Sequence, residues 1–96
     1  MRPSVALQKN RAAIHAVVAK YRASNARVFG SVLHGNDHEG SDLDVLIDPT
    51  PATTMFDIGA IRHELLQLLG VRVDVLTPNA LPDAFRAKVL AEARQV

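Results

Sequence analysis

Ninety-six residues, 48% apolar and 22% charged, suffice for one domain with a modest core and are too apolar to stay disordered. Eleven Lys and Arg against ten Asp and Glu leave a formal net charge of +1, without the basic excess of a dedicated nucleic-acid binder, and one tyrosine with three phenylalanines makes a poor stacking platform for single strands. The absence of cysteine excludes disulfides and thiolate zinc sites, and no apolar run approaches the roughly 20 residues of a membrane span or forms a signal-peptide core. The expectation is a cytoplasmic protein with no membrane partner and no direct nucleic-acid partner.

In chain order, residues 4–23 read as a first helix, rich in alanine, with Val5, Ile14, Val17 and Val18 as its apolar stripe. Ser24-Asn25 ends it, and residues 26–29 form a short buried strand that stops at Gly30. The loop Gly35-Asn36-Asp37-His38-Glu39-Gly40 is dense in turn formers. Residues 43–48 are the second strand, closed by Pro49-Thr50-Pro51 because proline donates nothing to a sheet ladder. Thr53 or Thr54 caps a helix to about residue 69, with Phe56, Ile58, Ile61, Leu65, Leu68 and Leu69 forming its buried side and Gly70 its stop. Residues 71–76 are the third strand, Thr77-Pro78-Asn79 turns the chain, and Pro82 opens a last helix to about residue 94. The order αβ(β)αβα predicts one α/β domain over residues 1–96, a small mixed β-sheet with helices packed on one face.

The residues with chemistry cluster where strands begin and end. Val28-Phe29-Gly30-Ser31 closes the first strand, and Asp42-Leu43-Asp44 opens the second. Alternation along a strand puts Asp42 and Asp44 on one face and Leu43, Val45 and Ile47 on the other. On the third strand Val71, Val73 and Val75 face the apolar layer, leaving Arg72, Asp74 and Leu76 opposite, so Asp74 approaches the aspartate pair if the strands are neighbours. Three carboxylates at close range repel one another unless cations lie between them. Magnesium is the natural counter-ion, a hard cation that prefers oxygen ligands. Two such ions about 3.5–4 Å apart can clamp the attacking and leaving oxygens of a phosphoryl displacement. In that reading Asp42 and Asp44 bridge the metals, and Asp74 ligates the one nearer the attacking group.

Gly30 lets backbone approach a phosphate, and Ser31 offers a hydroxyl and an N–H to the β- or γ-phosphate. A helical turn beginning there would add free amides. Rate gain at such a site comes from positioning and charge neutralisation. The histidines read otherwise. His63-Glu64 lacks the second histidine of a zinc-protease helix, His38 sits in a solvated acidic loop, and His15 faces solvent or a partner. His34 lies near enough to the Gly-Ser turn to be weighed as a phosphate contact. Arg62 and Arg72 are within reach of a phosphate or a partner, Arg72 the better placed because it shares a face with Asp74, but the expectation is an ordinary surface salt bridge. Asp48 reads as a cap for the following turn.

Phe29-Gly30-Ser31 with Ser41-Asp42-Leu43-Asp44 resembles the signature of DNA polymerase β-like nucleotidyltransferases. The short chain and Val73-Asp74-Val75 make it similar to the minimal nucleotidyltransferases, the antitoxin halves of pairs with HEPN-domain RNase toxins. The likeness spans residues 26–76. It implies an enzyme that moves AMP from ATP, with magnesium, onto a tyrosine of a bound toxin and so silences it. On this chain the motif glycine and serine fall on Gly30 and Ser31, and the carboxylates on Asp42, Asp44 and Asp74. Val32 and His34 stand where many relatives carry an arginine and a second basic residue. Larger relatives hold the acceptor on an added helical domain, so here the acceptor is expected on another protein. Two alternatives remain: an antitoxin that masks its toxin by binding alone, and transfer to a small molecule, against which the missing acceptor domain counts.

Overall fold

The four strands β1 (Ala23–Phe29), β2 (Leu43–Pro49), β3 (Val73–Leu76) and β4 (Arg94–Gln95) form one mixed sheet in the order β3-β2-β1-β4. The structure is a computed structural model that describes all residues, Met1–Val96. β1 pairs antiparallel with β2, setting Phe29 opposite Asp44, and antiparallel with β4, setting Val28 opposite Arg94. β2 pairs parallel with β3, setting Leu43 opposite Val73 and Asp44 opposite Asp74. A parallel pair needs a crossover rather than a hairpin. Helix α4 (Met55–Leu69) supplies it.

The remaining helices are α1 (Pro3–Lys9), α2 (Arg11–Lys20), the single turn α3 (Ser31–His34) and α5 (Asp83–Glu92). One face of the sheet carries the core. Ile14 and Val18 of α2 and Ile61, Leu65 and Leu69 of α4 close over Val28, Leu43, Val45, Ile47 and Val73. Each such side chain contributes about 1.5–3 kcal/mol on burial. The opposite face is only partly covered. There Leu46 is buried, β2 meets a short 3-10 turn (Pro78–Ala80), and Leu81 is buried beside it. Arg86 holds that turn, donating from Nε to Pro78 O at 2.8 Å and from Nη2 to Leu81 O at 2.7 Å. No helix is long and apolar enough to cross a membrane.

Several expected boundaries move. The first helix is two helices, because Asn10 leaves helical geometry (φ −131°, ψ 22°) while its side chain donates to Ala6 O at 2.9 Å. Asparagine competes with the helix ladder in this way. β1 starts three residues early, at Ala23, with Arg22 and Asn25 at positive φ. The third strand starts two residues late, at Val73, and the last helix ends at Glu92 so that Arg94–Gln95 can pair with β1. Phe56 is 89% exposed. It precedes Ile61 by five residues, which turns it about 140° away from the buried stripe. Leu68 and Val5 are also exposed.

The start of α4 is fixed by a reciprocal cap. Thr54 Oγ1 accepts from Asp57 N at 3.2 Å, and Asp57 Oδ2 accepts from Thr54 N at 2.8 Å. Arg22 Nη2 adds a 2.6 Å bond to Asp57 Oδ1. The Thr54 backbone bond, with Arg22, outweighs the effect of burial and holds the Asp57 carboxyl below its ordinary range. Gly70, at φ 68°, ends the helix and donates to Leu66 O at 3.0 Å. In urea unfolding, Thr54→Ala is expected to cost about 1 kcal/mol with an unchanged slope. Leu65→Ala is expected to cost about 2–5 kcal/mol, and Phe56→Ala less than about 0.5 kcal/mol.

Candidate active site

β1 ends in a conformation that only glycine takes comfortably. Gly30 has φ 75° and ψ −148°. A Cβ there would overlap the Asp44 Oδ2 atom. The glycine therefore lets the end of β1 lie directly against the Asp44 carboxylate, a role additional to the expected approach to phosphate. Ser31 then opens α3, as the sequence allowed, with His34 N donating to Gly30 O at 3.2 Å.

The loop that leads to β2 is tied to the first helix. Asp37 is buried and accepts from Ser4 N at 2.9 Å and from Arg2 Nη2 at 3.3 Å. Burial alone would raise its pKa, but the Ser4 bonds and the Arg2 charge hold it below the ordinary carboxylate range. An acid remote in sequence thus satisfies the N-terminal amide of α1 while it anchors the loop. Further along, His38 N donates to Ser41 Oγ at 3.0 Å.

Asp42 stands just before β2. Its Oδ1 lies 2.8 Å from Arg72 Nε, yet that oxygen is shielded from solvent and has no aligned hydrogen-bond partner. The contact is a charge pair of poor hydrogen-bond geometry. The same guanidinium donates from Nη2 to Gly40 O at 2.7 Å. Two residues on, half-buried Asp44 faces Asp74 across the parallel pair. Burial, then the Asp74 charge, then the Asp42 charge push the Asp44 pKa up to about 6. The strands therefore bring Asp42 and Asp74 within electrostatic reach of Asp44.

A divalent cation suits these residues. Asp44 carries charge with no cation against it, and Asp42 presents a shielded oxygen that lacks a directed bond. Both features match hard oxygen ligands. As placed, no three acidic or histidine side chains close around one point, and Asp42 is paired with Arg72. The other expectations separate. His34 Nε2 lies 3.4 Å from Glu92 Oε2 and faces a cleft of about 370 Å³ that it shares with Leu33 and Arg94. Val32 packs against the core. Asp48 is not a cap for the next turn. It accepts from Arg27 and, at 2.8 Å, from Asn25 Nδ2, bridging β2 to β1. The Arg72 grip, the Asp37 anchor and the Gly30 contact with Asp44 all join residues distant in sequence, and no local pattern announced them.

Two outcomes follow from the Asp44 environment. A carboxyl whose folded pKa lies above its unfolded value costs stability once ionised, here above about pH 6. Metal-free Asp44→Asn is therefore expected to be more stable than wild type at pH 7.5, by about 1 kcal/mol once solvent screening is allowed for. Lowering the pH from 7.5 to 5 should shrink that difference in urea unfolding. Gly30→Ala is expected to displace Asp44 and to destabilise the chain by about 1–3 kcal/mol, measured the same way.

A family model described as a nucleotidyltransferase domain matches residues 11–96. A Methanocaldococcus jannaschii protein named as a candidate protein adenylyltransferase is 31% identical over 80 residues, 83% of this chain and 86% of its own. The protein adenylyltransferase MntA of Thermococcus cleftensis is 34% identical over 65 residues, 68% of this chain and 66% of the other. The solved structure of a candidate minimal nucleotidyltransferase matches with TM-score 0.86 and 36% identity, over 97% of this chain and 95% of that one. A crystal structure of a toxin-antitoxin with AMP-PNP shares the fold with TM-score 0.70 at 16% identity, over 97% of this chain and 71% of that one.

Proposed function

The chain belongs to the nucleotidyltransferase domain family and is a nucleotidyltransferase, and from that premise we propose that it moves AMP from ATP, with Mg2+, onto a tyrosine of a HEPN-type RNase toxin and so acts as its antitoxin. The observation that carries this reading is the register of Asp44 with Asp74, with the Asp44 carboxylate lodged against Gly30. Relatives named as protein adenylyltransferases support a protein acceptor. A toxin-antitoxin of the same fold with AMP-PNP supports an adenine nucleotide and a toxin partner.

In this reading Asp42, Asp44 and Asp74 would hold the Mg2+ that accompanies the triphosphate. Gly30 and Ser31 take the β- and γ-phosphates, Ser31 through its hydroxyl and backbone N–H. Bound there, Mg2+ supplies charge neutralisation to the attacking and leaving oxygens. The tyrosine oxygen forms a bond to the α-phosphorus as the bond to the bridging oxygen breaks. Pyrophosphate leaves with that electron pair, and the phenolic proton passes toward Asp74 or water. Asp74 is exposed where Asp42 and Asp44 are half-buried, which suits it to receive an incoming acceptor.

A second reading, masking of the toxin by binding alone, has one observation in its favour. Val32 is apolar and packs against the core and His34 is paired with Glu92, so α3 brings no unpaired basic side chain to the triphosphate. Transfer of label from α-labelled ATP to a co-expressed HEPN-type toxin separates the two. The catalytic reading expects labelled toxin with wild type and at least about a hundredfold less with Asp44→Asn, the loss typical of removing one preorganised electrostatic group. A bound, silenced but unlabelled toxin would contradict it.

A further inference from the structure

We propose that Arg72 is a positioning residue that stands in for a cation at Asp42, and that a divalent metal loads the site by displacing it. The inference rests on the reading of Asp42, Asp44 and Asp74 as metal ligands and deepens it. Arg72 is the one cation placed among these acids, with Nε 2.8 Å from Asp42 Oδ1 and Nη2 bonded to Gly40 O at 2.7 Å. It grips both the ligand and the loop that delivers the ligand to β2.

Three features make the grip releasable. The Arg72 side chain is 72% exposed and Asp42 44%, so the guanidinium leaves without opening the core. The Asp42 contact lacks an aligned N–H···O bond, unlike the well-directed bonds at Asp37 and Asp57. The Arg72 backbone is held separately, its carbonyl accepting from Leu43 N at 2.8 Å, so the side chain swings while the strand register stays. Neutralising Asp42 in this way also lowers the repulsion in the metal-free protein, where Asp44 and Asp74 have no such partner among the ion pairs. The expected consequence is a site that binds bare metal weakly. The displaced guanidinium is then free to meet the phosphates that arrive with the metal, coupling the two ligands.

The test is Mn2+ binding to the nucleotide-free protein, followed by its electron paramagnetic resonance. Arg72→Gln is expected to bind Mn2+ about two- to fivefold more tightly than wild type, the amount that an exposed ion pair withholds. Arg62→Gln makes the same change of net charge on the exposed surface of α4 and is expected to leave the affinity unchanged. Arg72→Lys keeps the charge without the two-point grip and is expected to fall between wild type and Arg72→Gln, which preserves the ordering if the glutamine variant folds poorly. In wild type, the Arg72 Nε–H resonance should shift in step with added Mg2+. Equal or weaker binding by both Arg72 variants, with binding lost in Asp44→Asn, would overturn the placeholder role and leave the metal site standing. Undiminished Mn2+ binding in Asp44→Asn would overturn the metal-site reading and this proposal together.

Discussion

Two carboxylates in register across a parallel strand pair, Asp44 on β2 and Asp74 on β3, are the constraint on which this molecule turns. The fold holds them there against their mutual repulsion, and burial first, then the Asp74 charge, pushes the Asp44 pKa up. A sheet selected for stability alone would place a base, a hydroxyl or an apolar side chain at one of the two positions. Burial, strand pairing and the close approach of Gly30 all act to keep the Asp44 charge where it is least comfortable. Such local disfavour is common where a protein must bind a cation and an anion together.

The rest of the chain keeps that arrangement from relaxing. Side chains alternate with a period of two, so slipping β2 by one residue would drive Asp44 into the core and expose Leu43 and Val45. Leu43, Val45 and Ile47, all fully buried, oppose that slip. The crossover helix α4 begins at the Thr54–Asp57 cap and ends at Gly70, delivering the chain to β3 at the required register. On the other side, the Asp48 bridge to Arg27 and Asn25 locks β2 to β1. The Asp37 anchor to α1 restrains the loop that carries Asp42. Arg72 adds a contact exposed on both sides, its side chain 72% exposed and that of Asp42 44%.

What the sequence revealed follows from the range of the forces involved. The approach of Asp74 to Asp44 was legible because strand alternation is local and the apolar residues between the acids declare which face is inward. Thr54 and Gly70 were legible as helix ends for the same reason. The split of the first helix at Asn10 was not, since alanine-rich sequence on both sides masks one competing side chain. β4 escaped notice because two residues carry no periodicity, and only the edge of β1 turns Arg94–Gln95 into a strand. Phe56 was misplaced because hydrophobicity was counted without its angle around the helix. Arg72 was legible as the cation of a surface salt bridge, but its partners were not, because the grip on Asp42 and Gly40 spans about thirty residues of chain.

In the proposed reaction a divalent cation relieves the repulsion between Asp44 and Asp74 and brings a nucleoside triphosphate with it. Crystals grown with Mn2+ and a non-hydrolysable ATP analogue test it most directly, through the anomalous signal of manganese. The expected result is a manganese peak ligated by Asp44 and Asp74, with the triphosphate against Gly30 and Ser31. Manganese elsewhere, or a nucleotide bound away from the Gly30 turn, would contradict it.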